Sequence, residues 1–203
     1  MKIAVYGATG MVGSQIVAEA GRRGHEVTAL SRKGATVEGA AVVRAADLAD
    51  LETYRSVAEA NDAVVLATSP DRAGGSREPY LQAHRAIAEV PTDARLYLVG
   101  GFGSLQGPDG ARIKDLPDFP AEYKAESDTV FRAYEALRDS SAGLNVTVHA
   151  PAAVIQPGER TGKYTTAVGV PAGDFISAQD YAVAAVDELE KPQFQGKIFT
   201  AAN

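Results

Sequence analysis

The sequence predicts an α/β fold of the Rossmann type, a doubly wound parallel sheet flanked by helices and built as a single domain. Three observations predict it. Short β-branched runs alternate with longer helix-like stretches from end to end, as in βαβ units feeding a parallel sheet. Most strand candidates are apolar throughout rather than at every second position, as expected where helices cover both faces. Glycines at 7, 10 and 13 stand where the first strand turns into the first helix.

Taken in order, Lys2 to Tyr6 reads as the first strand and Met11 to Arg23, with apolar residues at helical spacing, as the first helix. Glu26 to Leu30 and Ala41 to Arg44 read as strands, followed by a helix at Leu51 to Ala60 and a strand at Asp62 to Ala67. Pro70 to Arg77 is a glycine-containing loop with two cations, suited to closing on a phosphate-bearing ligand or to a plain solvated connection. A helix at Tyr80 to Glu89 and a strand at Arg95 to Val99 come next. Gly100 to Pro120 holds five glycines and three prolines, so it reads as a long loop and a candidate wall or lid beside the ligand crevice. The helix Ala121 to Asp139, the strand Leu144 to His149, the helix Ala178 to Glu190 and the strand Lys197 to Ala201 complete the chain. Ser177 is placed to cap the last helix, with Asp180 three positions on. Segments of about 101–122 and 151–177 are the substrate-side additions to the nucleotide-binding domain spanning 1–203.

Composition narrows the function. The 203 residues are 45% hydrophobic and 23% charged, enough for one core of moderate size. A net charge of -6 without a long Lys/Arg run argues against nucleic acid or an anionic membrane as partner and favours a small molecule. The chain has no cysteine, which excludes disulfides, thiolate catalysis and thiolate metal sites and suits a reducing cytoplasm. Lys2 to Tyr6 is too short for a signal-peptide core, and no apolar run nears the ~18 residues needed to span a bilayer. No His/Asp/Glu spacing resembles a ligand set, so no metal is expected. Nothing in the sequence fixes the oligomeric state.

The glycine turn places backbone N–H groups and a helix N-terminus where a diphosphate can sit. Gly7 permits the sharp exit from the strand, Gly10 lets the backbone approach the phosphate, and Gly13 lets helix and sheet pack closely. The competing reading is a tight turn that binds nothing. At the end of the second strand, an NAD site usually offers a carboxylate to the ribose hydroxyls. This chain has Ser31-Arg32-Lys33 there, a hydroxyl and two cations that attract a 2′-phosphate, with Arg32 able to make a forked contact. NADP(H) is therefore preferred to NAD(H), unless the two cations merely solvate a turn before Gly34. Asp47-Leu48 is placed to receive the adenine, and Asp47 is equally suited to cap the following helix.

With these residues in view, Gly7-Ala8-Thr9-Gly10-Met11-Val12-Gly13 resembles the glycine turn of the atypical short-chain dehydrogenase/reductases. The likeness is closest to the small NmrA-like and NADH-flavin reductase proteins related to flavin/biliverdin-IXβ reductase. Val99-Gly100-Gly101 through Ser104, Pro151-Ala152-Ala153, Pro157 to Gly162 and Ile176-Ser177 with Asp180-Tyr181-Ala182 resemble that group's later segments. The resemblance implies that Gly7, Thr9, Gly10, Met11 and Val12 line the pyrophosphate and Arg32 the 2′-phosphate. It implies further that Ala67-Thr68-Ser69 meet the nicotinamide-side ribose, that Pro151 and Ala152 approach the nicotinamide, and that Gly100 and Gly101 also belong to the cofactor site.

One departure limits the chemistry. Short-chain dehydrogenases acting on alcohols use a Tyr-x-x-x-Lys pair, in which lysine lowers the tyrosine pKa for proton transfer. Here Tyr123 has Ser127 four places on, and Tyr134 has Arg138, a poor relay; Tyr134 reads as packing. Flavin reduction tolerates this absence, because the cofactors carry the hard chemistry and the protein aligns two rings. Ser104 and Tyr123, flanking the long loop, are the candidate proton sources, though Ser104 also suits a turn and Tyr123 a helix start. Of the three histidines, His25 reads as a surface turn, His84 as half-exposed on a helix, and His149 as the one aimed at the crevice. The leading expectation is an NADP(H)-dependent oxidoreductase reducing a flavin or similar conjugated acceptor. A non-catalytic redox-sensing regulator is the alternative, and a nucleotide-sugar epimerase fits poorly without the dyad.

Overall fold

In Lys2–Tyr6 (β1) the side chains of Ala4 and Tyr6 enter one apolar layer and those of Ile3 and Val5 the other. That two-sided burial is why the strand is apolar at successive positions. The same division recurs in Ala63–Leu66 (β4), where Val64 and Leu66 face the first layer and Ala63 and Val65 the second. A computed structural model describes all residues from Met1 to Asn203. Its remaining elements are α1 (Met11–Arg22), β2 (Glu26–Ser31), β3 (Val42–Ala45), α2 (Leu51–Ala60), α3 (Glu78–Ala88), β5 (Arg95–Val99), α4 (Ala121–Arg138), β6 (Val146–Ala150), β7 (Val154–Gln156), β8 (Thr165–Val168), β9 (Phe175–Ser177), α5 (Ala178–Glu190) and β10 (Ile198–Ala202).

The main sheet runs β3-β2-β1-β4-β5-β6-β10-β8, parallel except where β8 pairs antiparallel with β10. Chain order reverses between β1 and β4, the switch point at which a crevice opens beyond the strands' C-terminal ends. Helices α2, α3 and α4 contribute to the layer holding Tyr6, and α1 and α5 to the layer holding Ile3. Tyr134 of α4 packs in the first of these, as its position in the sequence suggests. The Ser177 hydroxyl accepts from the Asp180 amide at 3.0 Å, so the expected cap at the start of α5 is present.

Three strands lie outside the expectation. β7 and β9 form a small parallel pair, with Val154 opposite Phe175, and β8 closes the far sheet edge. All fall within the segment read only as substrate-side. The long connection after β5 is also more ordered than a loop. Two short 3-10 turns, Phe102–Ser104 and Ile113–Asp115, interrupt it, Leu105 is fully buried in the core, and the Ile113 amide donates to the Leu105 carbonyl at 2.8 Å. Gly103 lies against α4, where a Cβ would come within 3.0 Å of Ser127 Oγ. The segment packs against α4.

The histidine expectations need correction. His84 is fully buried on the inner face of α3 rather than half exposed. His149 points into the core, away from the crevice: Nδ1 meets the Tyr97 hydroxyl at 2.7 Å, and the ring stacks between Tyr181 (3.7 Å) and Phe199 (4.3 Å). His25 sits at the end of a turn but is largely covered, with Nε2 2.9 Å from Glu190.

Candidate functional site

The crevice grows from the turn after β1. Gly7 adopts φ +77°, a conformation that disfavours any side chain, and a Cβ there would collide with the Ala67–Thr68 backbone. A Cβ at Gly13 would collide with the Gly7 carbonyl, so this glycine lets α1 start directly behind the turn. Gly10 caps α1 with no side-chain hydrogen bond, leaving first-turn amides free to face an anion. The turn itself is fixed: Gly7 and Ala8 amides donate to the Leu30 carbonyl at 3.1 and 3.2 Å, and the Gly10 amide to the Gly7 carbonyl at 3.0 Å.

At the end of β2, Ser31 is buried and its hydroxyl accepts from the Ala35 amide at 3.2 Å. Arg32 and Lys33 are exposed and make no ion pair with any carboxylate of the chain. After β3, Asp47 does not cap α2; that role belongs to Asp50, which accepts from the Thr53 amide at 3.1 Å. One Asp47 oxygen accepts from the Ala49 amide at 3.0 Å while the residue lines the crevice with the buried Leu48.

These segments enclose a crevice of about 660 Å³, within the range of small-molecule sites. It brings together Gly7, Thr9 and Gly10, Ser31 and Arg32, Asp47 and Leu48, and Ala67, Thr68 and Ser69. The other expected residues lie outside it. Met11, Val12 and Gly13 begin α1 behind the turn, and Lys33 stands beyond Arg32. Gly100 and Gly101 follow β5, and Pro151 and Ala152 follow β6, on the far side of the switch point. Ser104 is buried in a 3-10 turn, its carbonyl accepting from Arg112 at 2.7 Å. Tyr123 is 57% exposed in the first turn of α4. Neither touches the crevice.

The crevice's other wall comes from the loop read from the sequence as suited to a phosphate-bearing ligand, with Asp71 and Arg72, and from the start of α3, where Pro79, Tyr80, Ala83 and His84 were not assigned. Asp71 Oδ1 accepts from the Ala73 amide at 3.0 Å and the Gly75 amide at 2.5 Å, which shapes the loop. Arg72 donates to Glu126 Oε1 through Nε at 2.8 Å and Nη2 at 2.6 Å, so this loop cation is paired to α4. Burial pushes the Tyr6 hydroxyl up to about 12 and the His84 imidazole down to about 4, so both are neutral near pH 7. The spacing of Tyr80 and His84, one helical turn apart after Pro79, was the available signal that both share a face.

The arrangement fits a dinucleotide. Glycines shape a backbone cradle that Cβ atoms would fill, unpaired cations stand at the end of β2, and Thr68 Oγ1 is buried without a partner on the crevice wall.

Residues 7–192 match the model of an NAD(P)H-binding family. The chain is 36% identical to YwnB of Bacillus subtilis (strain 168), an uncharacterized protein, over 100% of this chain and 99% of that one. Among solved structures it is similar to a Burkholderia pseudomallei protein to which export is ascribed, with 38% identity, TM-score 0.85 and both chains covered in full. A Streptococcus pneumoniae TIGR4 protein with an ascribed NADH-flavin reductase activity is 33% identical at TM-score 0.85, over 100% of this chain and 99% of its own. These likenesses agree with the resemblance carried by the sequence motifs.

Proposed function

We propose, from the premise that this chain belongs to the NAD(P)H-binding family, that it is an oxidoreductase using NADP(H) in preference to NAD(H) and reducing a flavin or similar conjugated acceptor. The observation that carries the cofactor preference is the end of β2, where unpaired Arg32 and Lys33 stand beside the glycine cradle and no carboxylate is present. A carboxylate there would repel a 2′-phosphate; a guanidinium attracts it and matches its geometry.

The bound dinucleotide would supply the hydride. The protein's part is then to hold and align. The Gly7–Gly10 turn and the first-turn amides of α1 would carry the diphosphate, Ala67 to Ser69 the adjoining ribose, and Gly100, Gly101, Pro151 and Ala152 the wall beside the reacting ring. Alignment of two rings requires no Tyr-x-x-x-Lys pair, and the chain has none. The pneumococcal relative's ascribed activity supports a flavin as acceptor. Ser104 and Tyr123 are the side chains to test as proton sources, with water the alternative. The partner would be a small molecule rather than nucleic acid or an anionic membrane, because the chain carries a net charge of -6 without a long Lys/Arg run. The absence of cysteine suits the cytoplasm.

The missing dyad also favours a second reading, a non-catalytic sensor of the NADP(H) redox state. Purified protein mixed with NADPH and, in turn, FMN, FAD, riboflavin, biliverdin and quinones separates the two. Loss of nicotinamide absorbance with at least one acceptor is the expected result. Tight NADPH binding without turnover of any acceptor overturns the enzyme reading and leaves the sensor.

A further inference from the structure

Four of the eight buried side-chain polar atoms that lack a partner belong to residues of this one crevice: Tyr6 Oη, Thr68 Oγ1, Tyr80 Oη and His84 Nε2. Buried polar groups are normally paired, and each unpaired one is costly, so their concentration marks a wall built to meet polar groups it does not itself contain.

His84 has the most specific demand. Its Nδ1 lies 2.8 Å from the Tyr80 carbonyl, which only accepts, so Nδ1 carries the hydrogen. Full burial keeps the ring neutral. Nε2 is therefore an acceptor awaiting a donor, and phosphate or carbonyl oxygens cannot supply one. The Tyr80 ring lies 4.1 Å from the imidazole between centroids, tilted by 38°, and its hydroxyl, itself unpaired, can donate or accept. Together the two side chains bring an aromatic wall and an unpaired acceptor nitrogen to the crevice, which suit a heteroaromatic ring that bears an amine.

We propose that the α3 wall reads the base of the dinucleotide, with His84 Nε2 accepting a hydrogen bond from the exocyclic amine of an aminopurine. The inference rests on the dinucleotide reading above and adds His84 as a specificity-determining residue. Nε2 is covered in the free protein, so seating of the base requires a small movement of the wall. Asp47, across the crevice, is the competing acceptor for the same amine.

The test compares adenosine 2′,5′-bisphosphate with inosine 2′,5′-bisphosphate by calorimetry on the full chain. Inosine replaces the amine with a carbonyl, setting acceptor against acceptor. The unsubstituted protein should bind the adenosine compound about tenfold more tightly. His84→Phe should lose that preference, His84→Gln, which restores an acceptor, should recover most of it, and Asp47→Ala should keep it. Nitrogen NMR of the imidazole needs no variant, and Nε2 should shift on adding the adenosine compound and not the inosine one. Equal binding of the two compounds overturns this inference alone, as does a preference that survives His84→Phe or vanishes in Asp47→Ala. Failure of both compounds and of NADP(H) to bind overturns the cofactor reading as well.

Discussion

Glu19 and Arg160 lie 141 residues apart and meet in a two-point ion pair, Nε to Oε2 and Nη2 to Oε1, each at 2.8 Å. Glu19 is buried in α1, where Arg22 and Arg23 also bind it. The pair ties the segment between β7 and β8 to the helix that begins at the glycine turn. Glu19→Gln should therefore lower stability by about 2–3 kcal/mol, the range for losing charge-assisted hydrogen bonds at a buried carboxylate. Chemical denaturation of the two proteins at neutral pH measures it.

The same carboxyl predicts an acid dependence. The Arg160 hydrogen bond, followed by that of Arg23, holds Glu19 at about 2 against the opposing effect of burial. A carboxyl depressed in the folded state contributes stability that is complete above its unfolded value of ~4.3 and disappears as pH falls toward the folded one. The stability difference between the unsubstituted protein and Glu19→Gln should be constant above about pH 5 and shrink steadily between about pH 4 and 2. A difference that does not change with pH over that window refutes the assignment.

Arg32→Ala should reduce NADPH affinity about 10- to 100-fold, the worth of a forked charged contact, and leave NADH affinity nearly unchanged. Titration of each cofactor against both proteins gives the ratio. An unaltered preference would show that the 2′-phosphate is held elsewhere.

Gly13→Ala places a methyl against the Gly7 carbonyl. Because the obstacle is backbone, relief requires α1 to move away from the turn, at about 1–3 kcal/mol of overpacking. Thermal unfolding should show a lower midpoint, and NADPH titration weaker binding. Unchanged affinity would separate the turn from the ligand.

Ser104→Ala and Tyr123→Phe should each leave acceptor reduction within a few-fold of the unsubstituted rate, since Ser104 is held in a turn and Tyr123 stands in solvent. Water then supplies the proton. A loss of 10²-fold or more in either variant, the usual size of a general-acid contribution, would identify the donor instead.

The parallel strands were legible because burial on both faces leaves continuous apolar runs, as in Ala63–Leu66. β7, β8 and β9 were not, since each spans three or four residues, and Val154 meets Phe175 only through a distant return of the chain. His149 misled because polarity at a strand end suggests exposure. The alternation of β6 gives its true direction: Val146, Val148 and Ala150 enter the layer of α2 to α4, so His149 must face the other, against Tyr181 and Phe199. The near half of the crevice followed from the glycines and from Ser31-Arg32. The α3 wall escaped because the inward face of a helix depends on the sheet it packs against, and His84 gave no hint of full burial.

The two apolar layers share a sheet backbone but belong to separate clusters of side chains. Substitutions in one should combine additively with substitutions in the other. Such a molecule can evolve by halves. The layer of α1 and α5, bound to the glycine turn, can stay fixed under selection while the layer of α2, α3 and α4 drifts and recruits a different ligand to the wall it presents.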